Sequence, residues 1–312
     1  MTNTPWLSRI VRRCATGNVR IAAAGLGVFV MTQVAVPGTW AATLTLAGSQ
    51  PLVAGVAMAP PPWVAGVAMA PPPWPAGTQW TLDARSLRGP APLACPNARQ
   101  QILLVPAQGL FQGAWSAEGA DAATKRAADV GLKGAETVTL RLDCANASFD
   151  LHRVAPRRWL TALDGRVLLL RQGPDAEDPQ APVRELLLQH LPELGSPFDA
   201  ARVERLRPWL APSLSEAFRR WFGRPARPDE APQLNGDPFT DTQEPPLALT
   251  LGERRRHGAL ATQVVLVDVG GGRQHRLTYR LQRADDGAWR INDIDYGEGV
   301  SLRQLIRKDL QP

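Results

Sequence analysis

The chain has 312 residues, of which 44% are apolar and 21% are charged, and it carries a formal net charge of +6. This apolar content excludes a disordered chain, and three cysteines are too few for a disulfide-dense mini-protein. The length allows about two domains, each large enough to bury a core. A basic balance is typical of proteins that bind nucleic acid or anionic membranes, so the position of the positive charge matters.

Residues 1–41 show the order of features of a secretory signal peptide. Four arginines without an acidic residue precede an uncharged stretch at 21–36, and small residues lie at the −3 and −1 positions before Ala42. We predict cleavage between Ala41 and Ala42, with export to the periplasm or the medium. The alternative is an uncleaved anchor, for which the apolar stretch is short. Cleavage lowers the net charge from +6 to +2, which removes the main argument for a nucleic-acid partner. No later run predicts a stable membrane span.

The cysteines indicate an oxidising compartment. Cys14 leaves with the leader, so Cys95 and Cys144 remain, and an even pair in an exported protein predicts one disulfide. Two unrelated buried thiols are the alternative. Neither cysteine has a CxxC or histidine neighbour at ligand spacing, so we expect no zinc site and no other metal or cofactor.

An exact tandem repeat, VAGVAMAPPPW, occupies residues 53–74. Three consecutive prolines in each copy favour polyproline II and exclude a helix or a central strand. We interpret residues 42–77 as a proline-rich tether between the leader and the first domain. The alternative is a docking tract for a partner, with Trp63 and Trp74 as anchors.

Residues 78–173 predict a small, mainly antiparallel β domain that holds the disulfide. Alternating apolar and polar residues mark several strands, a short helix is predicted at 121–130, and Asp164-Gly165 between two apolar runs predicts a hairpin. His152 stands alone on an alternating strand. A lone histidine in this setting is more often exposed or internally satisfied than a ligand.

A second domain is predicted at 183–312, after an acidic, proline-rich linker at 174–182. Three helical segments come first, with Ser196 and Ser213 as predicted caps, and a series of strands follows. A short capped helix is predicted at 301–310. This order predicts an α+β domain in which helices cover one face of an antiparallel sheet.

Four motifs in this second region resemble domain of unknown function 3828, a bacterial envelope family. They are Asn235-Gly-Asp-Pro-Phe-x-Asp-x-Gln-Glu244, Trp289-Arg-Ile-Asn-Asp-Ile294, Gly299-x-Ser-Leu-Arg303 with Leu305, and Leu206-Arg-Pro-Trp-Leu210. The resemblance covers about residues 183–310. It implies an α+β cone similar to nuclear transport factor 2, with three helices followed by a curved antiparallel sheet. It also implies an envelope location, but no reaction.

A cone of this kind presents a pocket between its sheet and its helices. The residues that we expect at the pocket are Asp237, Phe239, Asp241, Gln243, Glu244, Trp289 and Asp293. Closely placed carboxylates raise one another's pKa and can act as an acid–base pair. The alternative is structural, with Asp237 capping a turn, Phe239 filling the core and Asp293 paired with an arginine. We favour the structural roles and predict no catalytic residue, because no histidine lies inside these motifs.

A basic cluster, Arg254, Arg255 and Arg256, lies between two predicted strands. We interpret it as a solvated turn, the alternative being a patch that binds a partner. The chain also lacks G-x-S-x-G, H-E-x-x-H, Walker and G-x-G-x-x-G motifs. We therefore predict an exported, non-enzymatic envelope protein that binds another envelope or secreted protein as an inhibitor, immunity protein or scaffold. A small-ligand receptor or acid–base enzyme that uses the cone pocket is the alternative.

Overall fold

A computed structural model describes residues 41–52, 74–145, 147–175, 177–225 and 234–311. Within these ranges the chain combines helices with a large antiparallel sheet, which confirms the mixed helix-and-strand class. The strands are β1 Ala41–Pro51, β2 Gln79–Asp83, β3 Ser86–Arg88, β4 Arg99–Pro106, β5 Glu136–Asp143, β6 Ser148–Ala155, β7 Arg158–Leu163, β8 Arg166–Gln172, β9 Ala248–His257, β10 Leu260–Gly270, β11 Arg273–Arg283, β12 Trp289–Gly297 and β13 Val300–Ser301. The helices are α1 Leu110–Gly113, α2 Ala120–Asp129, α3 Ala181–His190, α4 Ala200–Leu206, α5 Pro212–Phe222 and α6 Leu302–Asp309.

One continuous sheet joins the two regions that the sequence analysis treated as separate domains. Its order is β13-β12-β11-β10-β9-β4-β5-β6-β7-β8-β1-β2-β3. The junction is the antiparallel pair of β4 and β9, in which Ile102 lies opposite Leu249. Each strand satisfies backbone groups that the other would otherwise leave open at a sheet edge. Apolar side chains from both regions also share one buried core, so the division at 174–182 does not separate two cores.

Strand β1 corrects the predicted start of the tether. Residues 41–51 pair with β2 on one side and with β8 on the other. Ala42, Leu44 and Leu46 are buried, and the residues between them are half-buried, which is the period of a strand with one face on the core. The burial of this apolar face holds the segment in the sheet. Of the predicted leader at 1–41, only Ala41 is among the described residues, and residues 53–73, with Trp63, lie outside them.

The predicted linker is also largely buried, because two of its acidic residues, Asp175 and Asp178, face an arginine in the protein interior. Arg184 on α3 is 1% exposed. Its guanidinium donates to Asp175 and lies 3.8 Å from a carboxylate oxygen of Asp178. Asp178 also accepts from Arg254. A buried guanidinium needs such counter-charges, so Asp175 and Asp178 serve internal ion pairing, whereas Glu177 of the same segment is exposed and pairs with Arg283.

Neutral side chains extend this ion-pair network into the sheet. Gln172 Nε2 donates to Asp175 over 3.0 Å, and Trp159 Nε1 donates to Gln172 Oε1 over 2.9 Å. Burial raises the pKa of Asp178, and the positive charges of Arg184 and Arg254 oppose that rise. The network therefore ties α3 and the segment before it to β7, β8 and β9.

The helices pack on two sides of the sheet. Helices α3 to α6 contribute to the main core, which includes buried side chains from β1 to β12. Helices α1 and α2 form a smaller core on the other face, over strands β4, β7 and β8. Cys95 and Cys144 form the predicted disulfide, with their Cα atoms 5.5 Å apart. None of the helices in the described ranges is long and apolar enough to span a bilayer.

Local signals predicted some element ends and missed others. The β7–β8 hairpin turns at Asp164-Gly165, as predicted, and Ser301 forms a capping box with Gln304 at the start of α6. Helix α4, in contrast, begins after Asp199, whose carboxylate accepts from the Arg202 N–H, and not after Ser196. Helix α5 begins after Ala211, so Ser213 lies inside its first turn and is not its cap, and the Ser213 hydroxyl donates to Asn292 Oδ1.

We expect the substitution Arg184→Ala to lower the free energy of unfolding at pH 7 by about 3–5 kcal/mol, because it leaves the buried Asp175 without its arginine and Asp178 with Arg254 alone. Urea denaturation followed by circular dichroism measures the change. Arg205→Ala is the control, since it removes an exposed ion pair with Glu193 and should leave the midpoint almost unchanged. Equal losses in both variants would contradict a structural role for the buried network.

Candidate functional site

The loop before β9 is organised by Asp237. Its Oδ1 accepts three hydrogen bonds of 3.0 Å, from the backbone N–H of Phe239 and from the backbone N–H and the hydroxyl of Thr240. The backbone closes the same turn, because Asp237 N donates to the carbonyl oxygen of Thr242 over 2.8 Å. A carboxylate that accepts local N–H groups in this way forms an Asx turn. Asp237 thus caps the turn, as the structural alternative stated.

The second carboxylate oxygen of Asp237 faces His190, which sequence reasoning missed. His190 Nε2 lies 2.5 Å from Asp237 Oδ2. His190 is fully buried at the end of α3, with its ring edge-on to Phe239 at 4.9 Å. An ionised carboxylate only accepts hydrogen bonds, so Nε2 carries the proton. In the sequence, His190 is a single histidine at the end of a leucine-rich helix. No neighbouring residue indicates that it contacts Asp237, which lies 47 residues later in the chain.

A cavity of about 230 Å³ opens beside this pair. It is lined by Leu194, Ser196, Phe198, Arg202, Gly236, Asp237, Thr242, Gln243 and Glu244. Three of the seven predicted pocket residues are therefore brought together here, namely Asp237, Gln243 and Glu244. The other wall comes from the segment between α3 and α4 and from the first turn of α4.

Arg202 gives this cavity a positively charged wall that is already bound within the protein. The residue is buried, and its Nη2 donates to the carbonyl oxygens of Glu193 (2.6 Å) and Ser196 (3.2 Å). Its Nε lies 3.1 Å from the Glu193 carboxylate. Ser196, Gln243 and Glu244 are polar residues at the cavity that remain exposed to solvent.

Two tyrosines support the floor of the loop from the sheet. The Tyr279 hydroxyl donates to the carbonyl oxygen of Phe239, and the Tyr296 hydroxyl donates to that of Pro238 over 2.8 Å. Burial raises the pKa of both tyrosines, and the negative charge of Asp237 adds to that rise. Both hydroxyls therefore stay protonated, and they hold the loop as donors.

The remaining predicted pocket residues lie away from the cavity wall. Phe239 is fully buried in the core, and Trp289 is 3% exposed. Asp293 Oδ1 accepts from the N–H groups of Ile294 (2.9 Å) and Arg303 (3.0 Å). Asp241 is exposed beside the turn, where partial burial of its carboxyl raises its pKa and the charge of His275 lowers it. The structure thus divides the predicted set between cavity, core and turn.

Asp293 also lies 3.9 Å from an Arg280 nitrogen, so it has an arginine partner in addition to its two backbone donors. The N–H of Arg303 belongs to the first turn of α6, where a negative charge is favourable. Asp293 therefore joins β12 to the start of α6.

The predicted basic patch is divided between two faces of β9. Strand β9 continues through Arg254–Arg256, so this segment is not a turn. Arg254 binds the buried Asp178, and the Arg256 guanidinium lies 5.3 Å from the centre of the Trp289 ring. Arg255 is exposed and pairs with Glu253 over 2.8 Å.

Trp74, the second predicted anchor, is half-buried. Its ring lies edge-on to Trp80, with ring centroids 5.7 Å apart. The tryptophan thus contributes to the end of the core, and part of it stays accessible.

Comparison with known proteins adds no family. No family model matches the chain, and no match was found among curated proteins or among solved structures. The resemblance to domain of unknown function 3828 and the cone arrangement stay predictions. Within the part of the chain that the structure describes, no three His, Cys, Asp or Glu side chains form a group that could hold a metal ion.

We expect Asp237→Ala to destabilise the protein by about 2–3 kcal/mol, because it leaves His190 and three local donors without their charged acceptor. Asp241→Asn is the matched control, since this exposed residue lies in the same turn and asparagine tolerates its positive φ of 54°. Guanidinium denaturation of both variants measures the difference. A loss of stability in Asp241→Asn as large as that in Asp237→Ala would show that the turn depends on other contacts.

Proposed function

We propose that the chain is an exported, non-enzymatic envelope protein that binds another envelope or secreted protein through one open face of its sheet. The leader sequence supports export, and the Cys95–Cys144 disulfide is compatible with an oxidising compartment. The observation that carries the binding role is the accessible surface of strands β9 to β12.

This surface, called the outer face below, carries Arg255, Thr262, Leu266, Thr278 and Arg280. Thr262 lies directly opposite both Arg255 and Arg280, so these three side chains form a row across three strands. The alternate residues of β10, such as Val265, are buried in the core with the helices. Thr262, Leu266 and Thr278 are half-exposed, which leaves an accessible surface of mixed polarity.

The charges on the outer face suit a partner with an acidic and partly apolar surface. Arg255 and Arg280 are 68% and 51% exposed, and they pair with Glu253 and with Asp295. Exposed ion pairs contribute little to stability, so both arginines can exchange these partners for carboxylates of another protein. Leu260, at the end of the same face, is 61% exposed, and arginine beside apolar side chains is a frequent composition of interfaces.

The proposal includes the resemblance to domain of unknown function 3828. Helices α3, α4 and α5 precede strands β9 to β12, and α6 follows them, which supports the predicted order of three helices, an antiparallel sheet and a final helix. In this proposal residues 183–310 are the cone, and the strands before it extend its sheet.

A photo-cross-linking residue placed at Thr262 or Thr278 tests the outer face in the native envelope. We expect one discrete cross-linked protein at both positions, and we expect the additional substitution Arg280→Glu to weaken the adduct because the charge is reversed. The control position is Glu204 on α4, which is exposed on the helical side. Adducts at Glu204 alone, or no adduct at either outer-face position, would contradict the proposal.

A small-ligand receptor is the second candidate, and the convergence of Asp237, Gln243 and Glu244 at one cavity favours it. The cavity volume of about 230 Å³ is below that of most ligand pockets, so a bound ligand would have few non-hydrogen atoms. We expect native mass spectrometry of the protein purified from the periplasm to show a bound small mass. Gln243→Trp should remove that mass by filling the cavity, and Gln274→Trp, at an exposed glutamine on β11, should keep it. Spectra that show no bound mass in the unsubstituted protein or in either variant would exclude this candidate.

A further inference from the structure

His152 occupies a fully buried position on β6, between β5 and the segment that precedes α2. Its Nε2 accepts the backbone N–H of Phe111 over 3.0 Å. Its Nδ1 lies 2.8 Å from Thr139 Oγ1, and that hydroxyl donates to the carbonyl oxygen of Thr137 over 3.2 Å. Since Nε2 accepts, Nδ1 must carry the proton of the neutral ring, and the chain of donors and acceptors runs in one direction from Phe111 to Thr137.

The bond from Phe111 holds a strained piece of backbone. Phe111 and Gln112 have φ angles of 52° and 61°, in a region that side-chain-bearing residues avoid. Gln112 is held by a 2.7 Å hydrogen bond from its Nε2 to the carbonyl oxygen of Ser148. The Phe111 ring lies edge-on to His152 at 4.8 Å and to Trp115 at 5.0 Å. Such a conformation persists only where surrounding contacts determine it.

The segment 107–118 covers the smaller core on its face of the sheet. Leu110, Phe111 and Trp115 are buried there against strand residues that include Leu160 and Leu169. Detachment of this segment would expose aromatic and aliphatic surface from both the segment and the sheet. We call residues 107–118 the cover segment.

We propose that His152 is an acid-sensitive latch, which holds the cover segment closed when its ring is neutral and releases it when its ring is protonated. A protonated ring carries N–H groups at both nitrogens. Nε2–H would then face the Phe111 N–H as donor against donor, and the bond that fixes the strained backbone would be lost. The proton comes from solvent and reaches the buried ring when the segment is open. This role is separate from the proposed outer face.

The charged groups that act on the pKa of His152 lie on its own strand, β6, and on the neighbouring strand β5. Asp150 on β6 favours the protonated ring, Arg141 on β5 disfavours it, and the two bind each other through hydrogen bonds of 2.8 and 2.9 Å. On β7, Leu160 lies opposite His152, and in the cover segment the Phe111 ring lies edge-on to the imidazole ring. Neither of these side chains titrates. Burial is the larger effect and lowers the pKa of His152 from 6.5 to about 4.

The sign of the pH dependence follows from this depressed pKa. The open state, with an ordinary histidine pKa, binds a proton below about pH 6.5, whereas the closed state binds it only below about pH 4. Acidification across this interval therefore favours opening. The ratio of open to closed segments should rise about 260-fold between pH 7.5 and pH 3.

Hydrogen exchange of the full chain, corrected for intrinsic exchange rates, tests the latch from pH 7.5 to pH 3. We expect protection of the cover segment to fall by more than about 100-fold on acidification, while strand β5 stays protected and so reports that the sheet is intact. In His152→Gln the amide oxygen can accept from Phe111 and the amide nitrogen can donate to Thr139 without titrating. This variant should lose the local pH dependence. Equal pH dependence in both proteins, or loss of protection in β5 together with the cover segment, would overturn the proposal.

Nitrogen NMR of the histidine rings in the unsubstituted protein gives a second test that does not depend on a variant folding. We expect the His152 signal to show a neutral ring with the proton on Nδ1 at pH 7.5 and a midpoint near pH 4. A proton on Nε2, or a midpoint near the ordinary value of 6.5, would exclude a latch of this kind.

Discussion

The buried guanidinium of Arg184 is the constraint on which the arrangement of the two regions depends. An arginine side chain stays charged inside a protein, so its burial requires carboxylates in contact with it. Asp175 and Asp178 supply them, and this draws the segment between β8 and α3 into the interior. Asp178 also binds Arg254 on β9, and Asp175 accepts a hydrogen bond from Gln172 on β8, so the network around Arg184 links the two regions. The pairing of β4 with β9 continues that link through backbone hydrogen bonds, so the chain forms one sheet where its composition suggested two domains.

The same principle shapes the candidate site. Asp237 is held by His190 on one oxygen and by its own turn on the other, and Arg202 is held by backbone carbonyls and Glu193. These groups have the chemistry of an acid–base site, but their hydrogen bonds are directed into the protein. Among the polar groups that do face solvent are Gln243 and Glu244 at the cavity and the arginines of the outer face. The proposed binding role uses exposed groups of this kind, whereas a reaction would have to use the buried ones.

The structure also separates features that the sequence presents as equivalent. His152 and His190 are both buried, but they have opposite roles. His152 Nε2 accepts a backbone N–H and therefore carries no proton, whereas His190 Nε2 donates to a carboxylate. Arg254 and Arg255 are neighbours in the chain, yet Arg254 is half-buried and pairs with the buried Asp178, whereas Arg255 lies on the outer face. In a strand, adjacent side chains point to opposite faces, so adjacency in sequence separates such residues in space.

The sequence by itself determined what depends on neighbouring residues. The β7–β8 hairpin follows from Asp164-Gly165, helix α6 from its capping box, and the Cys95–Cys144 bond from the pair of cysteines that lies outside the predicted leader. Only the tertiary structure decided that β1 enters the sheet, that β4 meets β9, and that His190 meets Asp237. These are contacts between segments that are distant in the sequence. They form because folding buries apolar faces together and pairs opposite charges, whatever the sequence separation of the residues. An acidic, proline-rich segment has the same sequence pattern whether it is an exposed linker or is packed against a buried arginine. Here the segment is packed inside, because the buried Arg184 requires its carboxylates.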